Sequence, residues 1–383
     1  MKFVFILFKY FPFGGMQRDM LRTANNLAGM GHRVDIYTLS WEGDLPGPGI
    51  TVHVVPVRAW FNYRKYQKFI DLVRQRIAQD PAVDLVFGYN RMPGLDAHFA
   101  ADPCFIERSR RQRPALYRLT PRYRWFAAME KAVFSAATDC DILMVSRAEI
   151  PLFQRWHGTQ DSRFHYIPPY LSRERMALQD REQMRSYLRE AFGLAASARV
   201  VLLVGSGFAM KGLDRAIRAM AALSPEERRD LHLIAVGQDN PRAFEKLAAR
   251  LGVAANLIVS KGRPDIPWLM QGADFQVHPA YRENTGLVIL EGMASGLPLL
   301  VTESCGYAHH VQDAGAGLVC PYPFDQAEFD RLFHRMLTGG QRETWRAQGL
   351  AYAGQIMQQN DGRAEADILV GLAERKKAGK HVA

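Results

Sequence analysis

The chain has 383 residues, of which 48% are hydrophobic and 23% charged, and its formal net charge is +10. This composition is typical of a folded protein and excludes a disordered one, and the length suits two domains of roughly 150–200 residues each. No apolar run approaches the ~20 residues that span a bilayer. The positive charge is compatible with nucleic acid, an anionic membrane surface or a phosphate-rich substrate, and equally with a basic surface in solvent.

The first apolar run, residues 3–8, follows a single lysine and lacks a small-residue cleavage site. It therefore predicts a β-strand and not a signal peptide. The four cysteines show neither CxxC spacing nor a disulfide framework. This pattern indicates a reducing cytoplasm and suggests no structural zinc.

Strands and helices alternate along the first half of the chain. In chain order we predict a strand at 2–8, a helix at 17–30, and strands at 32–38, 52–57, 84–88, 141–146 and 164–167. Pro168 and Pro169 interrupt this series, and a charged stretch at 172–192 predicts a helix. Strands that alternate with helices indicate βαβ units and a parallel sheet.

A second alternating series follows. Compact apolar runs, as in strands buried on both faces, predict strands at 199–204, 231–236, 256–260, 274–279 and 297–302. The sequence thus predicts an α/β protein with two Rossmann-like, doubly wound parallel-sheet domains, 1–170 and 171–355. Residues 356–383 are expected to form a C-terminal helix that returns to the first domain and ends in a frayed basic tail. Ligands are then expected at the carboxyl ends of the strands, in the cleft between the domains.

Residues 278–291 connect a predicted buried strand to a predicted helix. Asn284 or Thr285 can cap that helix, which leaves the amides near Gly286 and Leu287 free for an anion. These amides suit a diphosphate.

Two glutamates flank the amides. Glu291 lies about two helical turns beyond Glu283, so both carboxylates can face one cleft. Carboxylates are natural acceptors for sugar or ribose hydroxyls. We therefore interpret the segment as a ligand site, and the alternative is a capped helix with two surface glutamates.

A glycine-rich turn at residues 204–212 follows the strand at 199–204. Small residues such as Gly207 permit close approach of phosphate oxygens, and Lys211 supplies a cation. The GxxxxGK[ST] spacing of a P-loop is absent. The pattern fits a phosphate site, and equally a tight βα turn with a solvated lysine.

The third candidate segment, residues 11–19, follows the first strand. Gly14 and Gly15 let the backbone approach a ligand, and Asp19 lies one turn into the next helix. The GxGxxG fingerprint of a nicotinamide site is absent. Asp19 is either a site residue or a partner of the helix dipole.

Together these segments resemble the retaining glycosyltransferases of family 4, which have the GT-B fold and whose signature is the Glu283-x7-Glu291 pair. Further motifs resemble the lipopolysaccharide core glucosyltransferases of that family, at residues 9–15, 40–44, 92–96 and 305–309. The similarity runs through nearly the whole chain. It implies retaining transfer of a hexose from a UDP-sugar, as substrate, to an inner-core heptose of lipopolysaccharide. It also implies that no metal, no cofactor and no protein nucleophile take part.

The resemblance implies roles for individual residues. Glu291 is expected to hold the ribose hydroxyls and Glu283 those of the donor sugar, while the backbone near Ile266 reads uracil. The implied diphosphate contacts are Lys211 and Arg263, and Gly14 and Gly15 are expected to approach the diphosphate from the N-terminal domain. The implied catalytic residues are Asp19, Asp102, Lys211 and Glu283, with both aspartates on the acceptor side. A diphosphate contact of Arg263 is also expected on physical grounds, because this residue follows a predicted strand end and guanidinium suits phosphate. The alternative is a surface arginine.

Three departures from the family pattern bear on these roles. Met210 stands where many members have an arginine, so Lys211 is expected to carry more of the phosphate charge. Tyr170 replaces a glycine at the interdomain junction. Asn284 and Thr285 replace two alanines near the donor sugar, which leaves UDP-glucose, UDP-GalNAc and UDP-GlcNAc open as donors.

The stretch between Cys104 and Phe134 is basic and aromatic. Its cations are Arg108, Arg110, Arg111, Arg113, Arg118, Arg122, Arg124 and Lys131. Aromatic side chains, among them Tyr123 and Trp125, lie between them. The mixture predicts contact with anionic headgroups, which the resemblance also implies, on the cytoplasmic face of the bacterial inner membrane. The alternative is a helix packed on the sheet with solvated arginines.

Other functions stay open. Another UDP-sugar-dependent family 4 transferase, or a nucleotide-sugar epimerase, has a similar fold. The missing GxGxxG disfavours a nicotinamide oxidoreductase. A basic nucleic-acid-binding protein is the non-enzyme alternative, but the sequence contains no recognisable module for it, so no nucleic-acid partner is expected.

Overall fold

The computed structural model describes residues 1–12, 14–174 and 176–382, with side chains through Ala378. Phe13, part of the motif at 9–15, lies outside the described residues. The strands are β1 (Lys2–Ile6), β2 (Arg33–Thr38), β3 (Ile50–Val54), β4 (Leu85–Gly88), β5 (Ala97–Ala100), β6 (Asp141–Met144), β7 (Phe164–Tyr166), β8 (Arg199–Val204), β9 (Leu231–Val236), β10 (Leu257–Ser260), β11 (Phe275–His278), β12 (Leu299–Thr302) and β13 (Gly317–Cys320).

Most of the α-helices lie between consecutive strands, and the last three follow β13. The α-helices are α1 (Gly15–Gly29), α2 (Asn62–Ala78), α3 (Phe105–Gln112), α4 (Pro121–Phe134), α5 (Ile150–His157), α6 (Arg181–Ala191), α7 (Phe208–Lys211), α8 (Leu213–Ala222), α9 (Arg242–Arg250), α10 (Ile266–Gly272), α11 (Leu287–Ala294), α12 (Ala308–Ala314), α13 (Gln326–Thr338), α14 (Arg342–Gln359) and α15 (Ala364–Val382). In the described part of the chain, no helix is both long enough and apolar enough to cross a lipid bilayer.

The chain divides into two compact units. The N-terminal unit comprises Met1–Pro168 and the described residues from Asp361 onward, and the C-terminal unit is Pro169–Asn360. The boundaries expected from the sequence fell after residues 170 and 355, and the helix expected to return to the first domain is α15.

Each unit contains one parallel sheet. The strand order is β3-β2-β1-β4-β5-β6-β7 in the N-terminal unit and β10-β9-β8-β11-β12-β13 in the C-terminal unit. In each unit the chain adds strands from the first strand to one edge of the sheet. It then returns to the other side of the first strand and adds strands to the opposite edge, which is the doubly wound arrangement. The predicted fold class, two Rossmann-like parallel-sheet domains, is confirmed.

Alternate residues of the central strands pack on opposite faces of each sheet. In β8, Val201 and Leu203 belong to one buried cluster and Val200 and Leu202 to another. Because successive side chains of a strand point to opposite faces, this pattern means that helices cover both sides of the sheet. Strands buried on both faces have few polar residues, which is why their apolar runs were recognisable in the sequence.

Two short strands were missed and one helix was predicted too long. β5 and β13 have four residues each, and their runs contain His98 and the initial Gly317, which weaken the apolar signal. The helix predicted at 172–192 begins only at Arg181, because the side chain of Asp180 accepts a hydrogen bond from the amide of Gln183 and caps it there.

The expectation of a frayed basic tail was wrong. The tail is the last part of α15, and three of its cations pair with carboxylates at the amino ends of three strands. These pairs are Arg375 with Asp141 (4.0 Å), Lys376 with Asp96 (2.6 Å) and Lys377 with Asp84 (3.1 Å). The sequence does not indicate these pairs, because the sheet supplies acidic partners that are distant along the chain.

Replacement of Leu369 in α15 tests the packing of this helix. Leu369 is fully buried in a cluster that includes Phe3 and Phe5 of β1. We expect Leu369→Ala to lower the free energy of unfolding by about 2–5 kcal/mol, because it removes buried methyl groups and leaves a cavity. Urea unfolding measures this, and Glu374→Ala, an exposed change in the same helix, should cost less than about 0.5 kcal/mol. Equal effects of the two changes would contradict a packed α15.

Candidate functional site

The C-terminal sheet has a topological switch point between β8 and β11. These strands are neighbours, but the chain leaves β8 towards β9 on one side and β11 towards β12 on the other. In open parallel sheets, ligands bind outside the carboxyl ends of the strands at such a point. The two turns that leave β8 and β11 contain Lys211 and Glu283, so two of the three segments singled out in the sequence meet at this edge.

Glu283 lies at the centre of this edge. Its Oε1 accepts a hydrogen bond from the ammonium group of Lys211, and its Oε2 shares a hydrogen bond with Nε2 of His278. His278 ends β11 and its side chain is fully buried, whereas the side chains of Lys211 and Glu283 are 19% and 17% exposed. The carboxylate is therefore held by two partners but stays partly accessible.

The partners of Glu283 determine its ionisation. Burial by itself raises the pKa of Glu283, but the neighbouring His278 and Lys211 favour the charged form and lower the pKa to about 2. Glu283 is therefore a carboxylate at neutral pH, where it can only accept hydrogen bonds. It can hold hydroxyl groups but cannot act as a general acid.

The turns after β8 and β11 are joined through their backbones. The amide of Tyr281 donates to the carbonyl oxygen of Met210 at 2.9 Å. A Cβ atom at Gly212 would lie 2.0 Å from the carbonyl oxygen of Pro279, and Gly212 has a φ of 75°. Only glycine tolerates both conditions, so the turn that delivers Lys211 depends on this residue.

A third turn, residues 304–307 after β12, supports Glu283 from the other side. The amide of Glu283 donates to the carbonyl oxygen of Ser304 (3.2 Å), and its own carbonyl oxygen accepts from the amide of Gly306 (3.0 Å). A Cβ atom at Gly306 would lie 1.8 Å from the carbonyl oxygen of Asn284. The family motif at 305–309 thus braces the loop that carries Glu283.

The predicted cap of α11 was wrong. The N-cap residue is Gly286, with a φ of 94° and no side-chain hydrogen bond to the helix, and not Asn284 or Thr285. The place of a Cβ atom at Gly286 is 3.6 Å from Oε2 of Glu283, so the helix begins directly beside this carboxylate. Leu287 is the first residue of the helix, and Glu291 lies in it with 7% exposure.

Arg263 has a carboxylate partner. Its Nε and Nη2 donate to the two oxygens of Asp265 at 2.9 and 2.6 Å, and the hydroxyl of Tyr187 donates to the same carboxylate at 2.5 Å. Hydrogen bonding to Asp265 raises the pKa of Arg263. Ile266 follows as the first residue of α10 and is 7% exposed. Arg263 is therefore ion-paired, with 28% of its side chain exposed, and its diphosphate role stays a prediction.

Gly207 is the N-cap residue of α7 in the C-terminal unit. Four further predicted site residues belong to the N-terminal unit. Gly14 precedes α1 and Gly15 begins it. Asp19 pairs with Nη1 of Arg22 at 2.6 Å, and Arg22 also pairs with Glu365 of α15. Asp102 follows β5 and is exposed, and its carbonyl oxygen accepts a hydrogen bond from Arg91.

His278 is the site residue that sequence reasoning missed. It opened the segment 278–291 but received no role. A polar residue at the carboxyl end of an apolar strand, five positions before Glu283, was the available signal. Its burial and its contact with Glu283 could not be read from the sequence, because the loop between them has no regular period.

The basic stretch forms α3, a 3₁₀ helix at Ala115–Leu119 and α4. Five of its arginines are exposed: Arg110, Arg111, Arg113, Arg122 and Arg124. Arg108, Arg118, Tyr123 and Trp125 are partly buried. Leu116 and Leu119 are 75% and 64% exposed. One face of this stretch therefore packs on the unit, and the other carries cations and apolar side chains into solvent, whereas contact with anionic headgroups stays a prediction.

Three groups of side chains in the described part of the chain could contribute ligands to a metal ion. They are Cys104, Glu130 and His157; His278, Glu283 and Cys305; and His309, His310 and Asp313. Burial raises the pKa of Cys104 and of Cys305 to about 12, so neither thiol is an available thiolate at neutral pH. The metal-free reaction remains a prediction.

Two family profiles match the chain. The family described as Glycosyltransferase Family 4 matches residues 13–175, and that described as Glycosyl transferases group 1 matches residues 185–350. The lipopolysaccharide glucosyltransferase WaaG of Escherichia coli (strain K12) is 40% identical over 368 residues, which are 96% of this chain and 98% of that protein. A D-inositol 3-phosphate glycosyltransferase of Stackebrandtia nassauensis is 27% identical over 88% of this chain and 82% of its own length.

Solved structures show the same likeness. The crystal structure of WaaG has a TM-score of 0.91 and 39% identity, with 96% of this chain and 100% of that chain covered. HepE from Anabaena, crystallised with UDP-glucose, has a TM-score of 0.71 and covers 100% of both chains, but its identity of 18% shows the fold alone.

The low pKa of Glu283 makes its contribution to stability pH-dependent. Because the folded pKa lies below the ordinary value, the contribution is present above pH 4.5 and is lost as the pH falls towards about 2. We expect the difference in free energy of unfolding between the wild type and Glu283→Gln to shrink over that interval. Lys211→Met should raise the pKa of Glu283 and move the loss to higher pH. Urea unfolding at each pH measures this, and a difference that does not depend on pH would contradict the assignment.

Proposed function

Because the chain belongs to glycosyltransferase family 4, we propose that it transfers a hexose from a UDP-sugar to an inner-core heptose of lipopolysaccharide with retention of configuration. The bond between C1 of the sugar and the diphosphate oxygen breaks, and the acceptor oxygen bonds to C1 from the same face. The acceptor proton passes to the leaving diphosphate oxygen. This route needs no protein nucleophile and no metal. The name of the E. coli relative supports the acceptor class and the hexose.

One observation carries the donor assignment: the pairing of Lys211 with Glu283 at the switch point between β8 and β11. A cation beside an ionised carboxylate, with the start of α11 adjacent, matches a ligand with a diphosphate at one end and hydroxyls at the other. Lys211 stabilises the negative charge that develops on the leaving diphosphate. Glu283 accepts hydrogen bonds from the hydroxyls of the donor sugar.

Other contacts with the donor follow from the family resemblance. Glu291 holds the ribose, the backbone near Ile266 holds the base, and Arg263 assists Lys211 at the diphosphate. Gly14 and Gly15, Asp19 and Asp102 act from the N-terminal unit. The pairing of Asp19 with Arg22 orients its carboxylate.

The choice of sugar rests with Asn284 and Thr285. Both are partly buried and lie between Glu283 and the start of α11. The name of the E. coli relative favours glucose as the transferred sugar. Polar side chains in place of two alanines also suit the amide of an N-acetylhexosamine.

The proposed acceptor, lipopolysaccharide, is embedded in a membrane. We therefore propose that the chain binds the cytoplasmic side of that membrane as a peripheral protein. The exposed arginines of α3 and α4 attract anionic headgroups, and Leu116 and Leu119 offer apolar contact. Arg111 pairs with Glu107 at 2.5 Å, so it contributes less net charge than Arg122 or Arg124.

A panel of UDP-sugars tests the reaction. With truncated core lipid A as acceptor, we expect UDP release and a product mass increased by one hexose or one N-acetylhexosamine. Lys211→Ala should lower kcat by about 10²–10³, as for the loss of one group that stabilises developing charge. A chelator should leave the rate unchanged.

Lys246→Ala is the matched control, because Lys246 is an exposed lysine in α9 of the same unit. It should behave as the wild type. UDP release without a product of increased mass would point to hydrolysis. Interconversion of the UDP-sugars without UDP release would favour the epimerase.

Vesicle binding tests the membrane contact. We expect the triple variant Arg118→Ala, Arg122→Ala, Arg124→Ala to bind anionic vesicles about a hundredfold more weakly at low salt, at about 1 kcal/mol per cation. Sedimentation with phosphatidylglycerol-containing vesicles measures this. Arg242→Ala, Lys246→Ala, Arg250→Ala removes the same charge from α9 of the C-terminal unit and should bind as the wild type. Equal binding of the wild type to neutral and anionic vesicles would contradict the proposal.

A further inference from the structure

The loop between β3 and α2 exposes two aromatic side chains. Trp60 is 99% exposed and Phe61 57%. Tryptophan is highly buried on average in folded proteins, and exposed aromatic groups of this kind mark interaction sites. Within its unit, neither side chain belongs to a buried cluster in the described part of the chain.

The loop and the first turns of α2 carry only positive charge. Between residues 58 and 68 the sequence contains Arg58, Arg64, Lys65 and Lys68 and no acidic residue. In the described part of the chain, none of these four side chains has an ion-pair partner. The guanidinium of Arg64 lies 6.0 Å from the centre of the Phe61 ring. Aromatic side chains surrounded by cations are typical of segments that lie at a membrane interface.

The loop lies at the same end of the N-terminal unit as the basic stretch. Nε1 of Trp125, in the first turns of α4, donates to Oε1 of Gln67 in α2 at 2.7 Å, and the Trp125 and Tyr66 rings are 6.0 Å apart. The amino ends of α2 and α4 are therefore close together. Trp60 and Phe61 immediately precede α2, and Leu116 and Leu119 shortly precede α4.

We propose that Trp60 and Phe61 insert into the headgroup region of an anionic lipid bilayer and form a second membrane contact beside the basic stretch. The proposal rests on the membrane contact of the proposed function and adds an apolar contact outside residues 104–134. Charge complementarity selects this occupant. A second copy of the chain would bring the same cations face to face, and like charges repel, whereas an anionic bilayer attracts both segments. The indole ring suits the interface because it has an apolar body and a polar N–H.

Fluorescence with brominated lipids tests the insertion directly. Vesicles of phosphatidylethanolamine and phosphatidylglycerol should shift the tryptophan emission of the full chain to the blue and, with brominated acyl chains, quench it. Trp60→Phe should abolish most of both changes while vesicle binding persists, because phenylalanine still inserts. Trp268→Phe is the matched control, since Trp268 is 46% exposed in the C-terminal unit, and it should leave both changes intact.

Affinity provides the second measurement. Trp60→Ala with Phe61→Ala should weaken vesicle binding about ten- to a hundredfold, and the loss should persist at high salt, unlike that of the arginine variant. Unchanged thermal unfolding shows that the double variant is folded, as expected for exposed side chains.

The outcomes distinguish the insertion of Trp60 and Phe61 from the membrane contact proposed for the basic stretch. Salt-sensitive vesicle binding with no quenching of Trp60 and no effect of the double variant would overturn the insertion but leave the membrane contact of the basic stretch. No binding of the wild type to anionic vesicles would overturn both. Dimerisation that protects Trp60 in the absence of lipid would assign the loop to a second copy of the chain.

Discussion

The contact of the Glu283 carboxylate with Lys211 and His278 is the interaction on which the arrangement of the C-terminal site depends. Lys211 lies in α7, which follows β8, and His278 ends β11, and these two strands flank the switch point. Removing one partner from a buried ion pair typically costs several kcal/mol, because the remaining charge is left without compensation. The pairing therefore fixes the two turns relative to each other, and the close approach at Gly212 leaves them little freedom.

The two units have a similar strand order but differ in the segments that connect their strands. In the C-terminal unit, short turns and glycines bring charged side chains to the carboxyl edge of the sheet. In the N-terminal unit, longer segments leave β3 and β5, and they build the cationic surface of α2, α3 and α4. The buried carboxylate of Glu130 holds α3 there, because it accepts hydrogen bonds from the amides of Phe105 and Ile106 and pairs with Arg91. The buried carboxylate of Glu130 thus helps to position the helices that carry the exposed cations.

The sequence predicted the architecture well, because strands buried on both faces leave apolar runs that helices and turns interrupt. It failed where a signal was weak or non-local. The apolar runs of β5 and β13 are weakened by His98 and Gly317. The tail cations pair with carboxylates that are distant in sequence, and the cap of α11 depends on the backbone of Gly286. In the site, Lys211 and Glu283 were identified from turn chemistry and family motif. The role of His278 and the pairing of Arg263 with Asp265 required distances that no spacing encodes.

Both cations assigned to the diphosphate already have carboxylate partners, Lys211 with Glu283 and Arg263 with Asp265. On the proposed roles, donor binding is an exchange of partners and not the filling of a bare cationic site. The phosphate oxygens would compete with Glu283 for the ammonium group of Lys211. The hydroxyls of the sugar would then donate hydrogen bonds to Glu283 in place of the one from Lys211. A ligand that offers only phosphates leaves that carboxylate with His278 alone. The geometry therefore favours a complete nucleotide sugar, in which the diphosphate and the hydroxyls satisfy both halves of the pair.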